Sequence, residues 1–204
     1  MRWDRLFADL EGRFDELADA EAAAELADRE RVAIGAIRAT QRLAGSLERP
    51  IRLRLAGGAS IGGVLRSVGP DWLLLTEGQG RDCLVALNAV TAVEGLTAAT
   101  GPETSAFAVR LDLRRALRGL ARDRSPVAVA LTGWTGGSAG SGVGAGAAGP
   151  IGSAELTGTI DRVGADFIEV AVHAAWEPRR AGSVRSVALV PLAGVLLVRS
   201  LPLG

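Results

Sequence analysis

The sequence predicts an α+β protein: an N-terminal helical arm, then two duplicated five-stranded β-barrels, each preceded by a helix. Three observations predict it. Apolar residues near the N-terminus recur at spacings of three and four, the period of a helix. From residue 50 onward, apolar stretches alternate with polar residues and are punctuated by Gly, Pro and Asp, the pattern of strands and turns. Those stretches recur later in the chain in the same order, the signature of an internal repeat.

The arm occupies residues 1–48. Trp3, Phe7, Leu10, Phe14 and Leu17 fall on one helical stripe. Residues 1–30 carry ten Asp/Glu against four Arg, and residues 31–50 carry four Arg against one Glu. Val32, Ala36, Ala39 and Leu43 continue an apolar face until Pro50 ends the element. The stripe fits two roles: packing on its own domain, or a helical seam through which two copies dimerise.

The repeat defines the remaining domains: a first barrel at 49–100, a linker and basic helix at 101–125, and a second barrel at 126–204. Ile61 to Leu75 matches Leu156 to Val170 through Gly, then Val-Gly-x-Asp, then an aromatic residue. Leu84 to Val93 matches Leu189 to Val198, and Ile51 to Gly57 matches Val127 to Gly133. Within each unit the strands follow from local pattern. Ile51, Leu53 and Leu55 alternate with Arg52 and Arg54, a half-buried strand. Gly57-Gly58 turns the chain, and Gly63 permits a sharp bend in the second strand. Val68-Gly69-Pro70-Asp71 turns into Trp72 to Leu75, with Asp71 and Asp166 expected to bond turn amides. Gly78-Gln79-Gly80 turns again, before strands at Cys83 to Leu87 and Val90 to Val93. A Gly-rich insertion at 135–153 separates the first two strands of the second unit. The apolar run Val187 to Val198 reads as two buried strands, since it is too short to span a bilayer as a helix.

Those blocks resemble the Sm-like (Sm/LSm/Hfq) small barrels, in which a helix precedes five strongly bent strands with Gly in the second. The resemblance covers about residues 31–97 and 108–200, and SH3-like five-stranded barrels share its motifs. It implies RNA binding and ring assembly through strand edges, although fused units need not form the usual rings. The uridine-binding residues are not carried over: Leu73 and Ile168 stand where the family places Asn, and Gly69 and Gly164 where it places the accompanying Asp. The whole chain also resembles uncharacterised actinobacterial proteins, a similarity that implies no activity.

Composition removes most chemistry. The 204 residues hold 23 Lys+Arg, all arginine, against 23 Asp+Glu, with one His, one Cys and no Tyr. A single Cys leaves no intrachain disulfide, and no zinc ligand set can be drawn. Gly144-Ala145-Gly146-Ala147-Ala148-Gly149 has the letters of a dinucleotide loop, but a Pro and a strand-like segment follow where a helix is needed. His173 reads as a surface or rim residue and Cys83 as a small core residue. Neither a cofactor, a metal nor an enzymatic activity is therefore expected. The basic features remain. Residues 110–124 hold six Arg and two Asp, with Arg114, Arg118 and Arg122 at every fourth position. Arg179 and Arg180 add cations beside Trp176. Acids at Asp4, Asp9 and Glu11 break any secretory core, so a cytoplasmic protein without a membrane partner is expected. The leading function is a non-enzymatic scaffold whose partner is a protein or a further copy. The alternative is RNA binding through the Arg stripe, whose competing role is a solvated helix face.

Overall fold

The computed structural model describes residues 13, 21–102, 110–133, 155–174 and 183–201. These belong to two compact units, residues 1–39 and 40–204. In the first unit, residues 21–35 form helix α1, and every residue from 21 to 36 is exposed. Arg29 pairs with Glu25 at 2.6 Å and Arg31 with Asp28, the i,i+4 and i,i+3 spacings that neighbour one another on a helix. The arm is not one continuous helix to residue 48. It breaks at 36–38 and resumes as a short helix, α2, at Ala39–Ala44.

The second unit is built on one sheet. Its strands are β1 (Pro50–Leu55), β2 (Ser60–Val68), β3 (Trp72–Thr76), β4 (Asp82–Ala86), β5 (Val90–Glu94), β6 (Pro126–Leu131), β7 (Glu155–Val163), β8 (Phe167–Val172), β9 (Ser186–Pro191) and β10 (Val195–Ser200). Helix α3 (Leu113–Asp123) precedes β6. All strand pairs are antiparallel, and the order is β5-β1-β2-β3-β4-β10-β6-β7-β8-β9.

This arrangement overturns the expected pair of closed five-stranded barrels. Closing the first half would bring β5 to β4, but β5 pairs with β1 alone. The edge of β4 is taken instead by β10, through Leu197↔Val85, Val198↔Leu84 and Arg199↔Cys83. The hydrophobic core is likewise shared. Leu53, Leu65 and Leu73 of one half belong to the same buried cluster as Ile160, Ile168 and Leu197 of the other. A common core hides more apolar surface than two separate small ones would.

The strand patterns themselves follow the sequence. On β1, Ile51, Leu53 and Leu55 are buried and Arg52 and Arg54 exposed. Strand β6 is buried along its whole length, as suits a strand flanked by β10 and β7. The run Val187 to Val198 is not two buried strands. β10 is buried over Val195 to Val198, but β9 is an edge strand whose Val187 and Leu189 face solvent.

Several local features of the first half have counterparts in the second. β2 and β7 begin 95 residues apart, at Ser60 and Glu155, and their irregularities fall at Leu65/Ser67 and Ile160/Arg162, the same spacing. The amide of Gly69 donates to Trp72 O and that of Gly164 to Phe167 O, both at 2.8 Å. Leu87 N donates to Asp71 O at 2.9 Å, and Leu192 N to Asp166 O at 2.7 Å. The glycine inside the second strand of each half answers to a close approach of the next strand. A Cβ at Gly63 would lie 2.6 Å from Thr76 O, and one at Gly158 would lie 2.1 Å from Ala171 O.

Helix α2 holds the chain that leaves β5. Arg42 donates to the carbonyls of Thr97 at 2.8 Å, Ala98 at 3.0 Å and also Ala99. Gly101 N reaches Gln41 O at 2.8 Å, and the hydroxyl of the buried Ser46 accepts from Thr97 N at 3.0 Å.

Substituting Gly158→Ala forces its methyl into the Ala171 carbonyl and is expected to cost about 1–3 kcal/mol, the scale of overpacking. Gly62→Ala, whose nearest neighbour is 3.8 Å away, should stay within about 0.5 kcal/mol of the parent. Urea denaturation of both variants measures the difference.

Candidate functional site

Helix α3 is seated by groups from the first half. Asp112 caps it, its side chain accepting from Arg115 N at 2.9 Å, and Asp71 of the β2–β3 turn accepts from Leu113 N at 2.7 Å. Two carboxylates thus satisfy amides of the first helical turn, which otherwise lack partners, and their charge suits the positive end of the helix. Trp72 adds an indole N–H donated to Leu111 O at 2.6 Å. Leu113 and Leu117 are buried, so the apolar stripe of α3 faces the core. Asp71 therefore bonds a helix amide rather than an amide of its own turn. Asp112 is not singled out by the sequence reading, although an Asp directly before Leu113-Arg114-Arg115-Ala116 is a helix-start signal.

Beside this seat lies a cleft of about 490 Å³, lined by Asp71 and Asn88 from one half, Leu192 and Ala193 from the other, and the start of α3. Its carboxylates already hold the helix amides, and Arg114 lies 3.4 Å from Asp112. It presents charged groups that are committed to one another rather than a nucleophile next to a base.

Among the described ion pairs, those at the joint between the halves are the most buried. Arg199 of β10 donates Nε–H to Glu77 at 2.6 Å and also pairs with Glu155. The side chain of Arg199 is 11% exposed and that of Glu77 16%, so this guanidinium holds one carboxylate from each half in partly dry surroundings. Its pKa is raised above the ordinary arginine value: the Glu77 hydrogen bond and the two carboxylates outweigh burial. Removing one partner of such a cluster strands a charge and costs several kcal/mol, far more than a surface pair contributes. Nothing in the sequence signals it, because Glu77 and Arg199 stand 122 residues apart.

Cys83 lies directly opposite Arg199 in this joint and is fully buried, as its reading as a core residue required. Burial pushes its thiol up to about 12, only partly opposed by Arg199. A protonated thiol is a poor nucleophile.

His173 is not a surface or rim residue. It is 3% exposed, with Nε2 2.8 Å from Thr159 Oγ1 and Nδ1 2.9 Å from Ala174 O. In the neutral ring Nδ1–H donates to the carbonyl and Nε2 accepts the Thr159 hydroxyl, which satisfies both nitrogens. Among the described residues, no group of three His, Cys, Asp or Glu is placed to hold a metal.

The arginine stripe is rearranged. Arg114 is partly buried against Asp112, whereas Arg118 and Arg122 are exposed as expected. Arg115 is exposed on the same side, since positions i, i+3 and i+7 share a helix face. The side chains of Arg115, Arg118 and Arg122 make no ion pair among the described residues. Arg179, Arg180 and Trp176, the stripe Trp3, Phe7, Leu10, Phe14 and Leu17, and the Gly-rich insertion 135–153 lie outside the described residues.

Among the described residues, β5 pairs only with β1 and β9 only with β8, at the two ends of the sheet. Leu189 of β9 is 62% exposed and Val187 59%. No helix among the described residues is long and apolar enough to cross a membrane. Comparison with protein-family models, with curated proteins and with solved structures finds no match.

Cys83 gives the fold an alkaline limit. The folded protein holds its proton more tightly than the unfolded chain, so this contribution to stability is complete below the ordinary value of 9.0. It is lost as pH climbs toward about 12. With no lysine and no tyrosine, no other side chain has an ordinary pKa in that interval. Stability should fall by up to about 4 kcal/mol across it, and Cys83→Ala should flatten the slope. Denaturant titrations between pH 8 and 11 measure this.

Proposed function

We propose that this chain is a non-enzymatic interaction scaffold that associates through the open edges of its sheet. The observation that carries the reading is the exposed β9 edge with Val187 and Leu189 on its outer face. Unpaired edge strands offer a row of backbone donors and acceptors, and proteins that do not use them blunt them with charges or cover them. β9, Ser186-Val187-Ala188-Leu189-Val190-Pro191, has no charged residue, and its one edge-blunting Pro stands at its last position. The rigid seat of α3 and the clamped joint give such an edge a fixed frame. Full-length protein studied by light scattering over a wide concentration range should exceed the monomer mass. Leu189→Arg, placed on a solvent-facing side chain, should abolish that association without lowering the melting temperature. Association that survives Leu189→Arg would remove the edge from the account.

A second reading, RNA binding, is favoured by the uncommitted guanidinium groups of Arg115, Arg118 and Arg122. Phosphate contacts release counterions and make binding steeply salt-dependent. Fluorescence anisotropy with single-stranded RNA at ~50 mM salt, where such contacts are strong, tests it. Replacing the three arginines by Ala should reduce the salt slope by about 2. Absence of binding at that salt leaves the scaffold reading alone.

A further inference from the structure

The turn that seats α3 in the first half has a counterpart in the second. Gly69-Pro70-Asp71-Trp72 receives a helix start: Asp71 accepts from Leu113 N at 2.7 Å, and the Trp72 indole donates to Leu111 O at 2.6 Å. Gly164-Ala165-Asp166-Phe167 has the same internal bonds. Gly69 N to Trp72 O and Gly164 N to Phe167 O are both 2.8 Å, and the carbonyls of Asp71 and Asp166 hold the amides of Leu87 and Leu192. Each aromatic ring lies against its turn glycine, where a Cβ would collide with it. Yet Asp166 is exposed, and its carboxylate makes no hydrogen bond or ion pair among the described residues.

We propose that Asp166 and Phe167 form a second helix seat, which takes the first turn of a helix from a different protein. The occupied seat defines what that helix must offer. The first amides of a helix lack acceptors and carry the positive end of its dipole, so a carboxylate held by a turn suits them. Leu113 directly follows the cap Asp112, and its N–H is the one that Asp71 takes. The partner helix therefore needs a residue other than Pro at that position, where Pro is otherwise favoured. Its own cap satisfies an amide further on, as Asp112 does for Arg115 N. In a second copy of this chain, α2 does not supply such a start. Ile37 N already donates to Ile34 O at 3.1 Å, and the first turn of α2 has no acidic residue. Phe167 has no N–H, so the second seat lacks the bond that Trp72 makes and holds its helix more weakly. The seat lies in the β7–β8 turn and uses no unpaired strand, so it is independent of edge association.

The probe is a synthetic peptide of residues 110–124, which carries the α3 start. A hydrocarbon staple joining positions 116 and 120 keeps it helical, since so short a helix is marginal by itself. Added at millimolar concentration to the isotope-labelled full chain, it should shift the amide NMR signals of Ala165, Asp166 and Phe167 saturably. The same peptide with Leu113→Pro, unchanged in charge, should bind at least about tenfold more weakly, as should the parent peptide to Asp166→Ala protein. Each change removes one hydrogen bond to a charged group. Phe167→Trp restores the indole donor and should tighten binding about threefold or more. The melting temperature of each protein variant confirms that it is folded. Equal binding of the two peptides would mean charge attraction alone and overturn the proposal. So would shifts confined to the Asp71 turn, binding that Phe167→Trp leaves unchanged, or no saturable shift. Edge association, tested by Leu189→Arg, uses none of these residues, so either reading can fail without the other.

Discussion

The antiparallel joint of β4 with β10 is the contact on which the rest of the structure depends. It merges two five-stranded halves into one sheet, gives them a common core and places Cys83 where no solvent reaches it. Three residue pairs would make a modest seam by themselves. Arg199 strengthens it by holding Glu77 from one half and Glu155 from the other within a largely buried cluster. Buried charges of this kind tolerate little displacement, because separating the partners leaves each poorly hydrated. Removing one partner of the cluster therefore costs more than losing a surface pair.

Helix α3 is the second fastening. Its first turn is held by Asp112 on its own chain segment and by Asp71 from the β2–β3 turn. The connection between the halves is thus tied to the first half at the point where it becomes helical. The carboxylates that occupy the helix start also explain why the neighbouring cleft offers few uncommitted groups. The same economy holds at His173, whose two nitrogens are spent on Thr159 and Ala174. Asp71, Asp112 and His173 hold backbone and neighbouring strands here.

Among the described residues, the two strand edges and the outer face of α3 are uncommitted surfaces. Their chemistry differs, since β9 is uncharged and apolar and the α3 face is cationic. An edge selects a partner by backbone register and a charged face by phosphate or carboxylate density, so the two are separable by mutation and by salt.

Local elements are legible in the letters alone. The alternation Ile51, Leu53, Leu55 marks β1, the Gly and Asp positions mark the turns, and the matching blocks mark segments whose Gly69 and Gly164 turn bonds lie 95 residues apart. Each of these depends on residues close together along the chain, or on similarity between two segments, and both are visible in a string of letters. Only the tertiary structure decided that the halves do not close on themselves. It also decided that β9 is an edge while its counterpart β4 is interior, that His173 is buried, and that Arg114 turns to Asp112 rather than joining Arg118 and Arg122. Strand periodicity says which side chains face inward and nothing about which free edge lies next to which. That choice is made by shape and charge at contacts such as Arg199 with Glu77, between residues that share no local pattern.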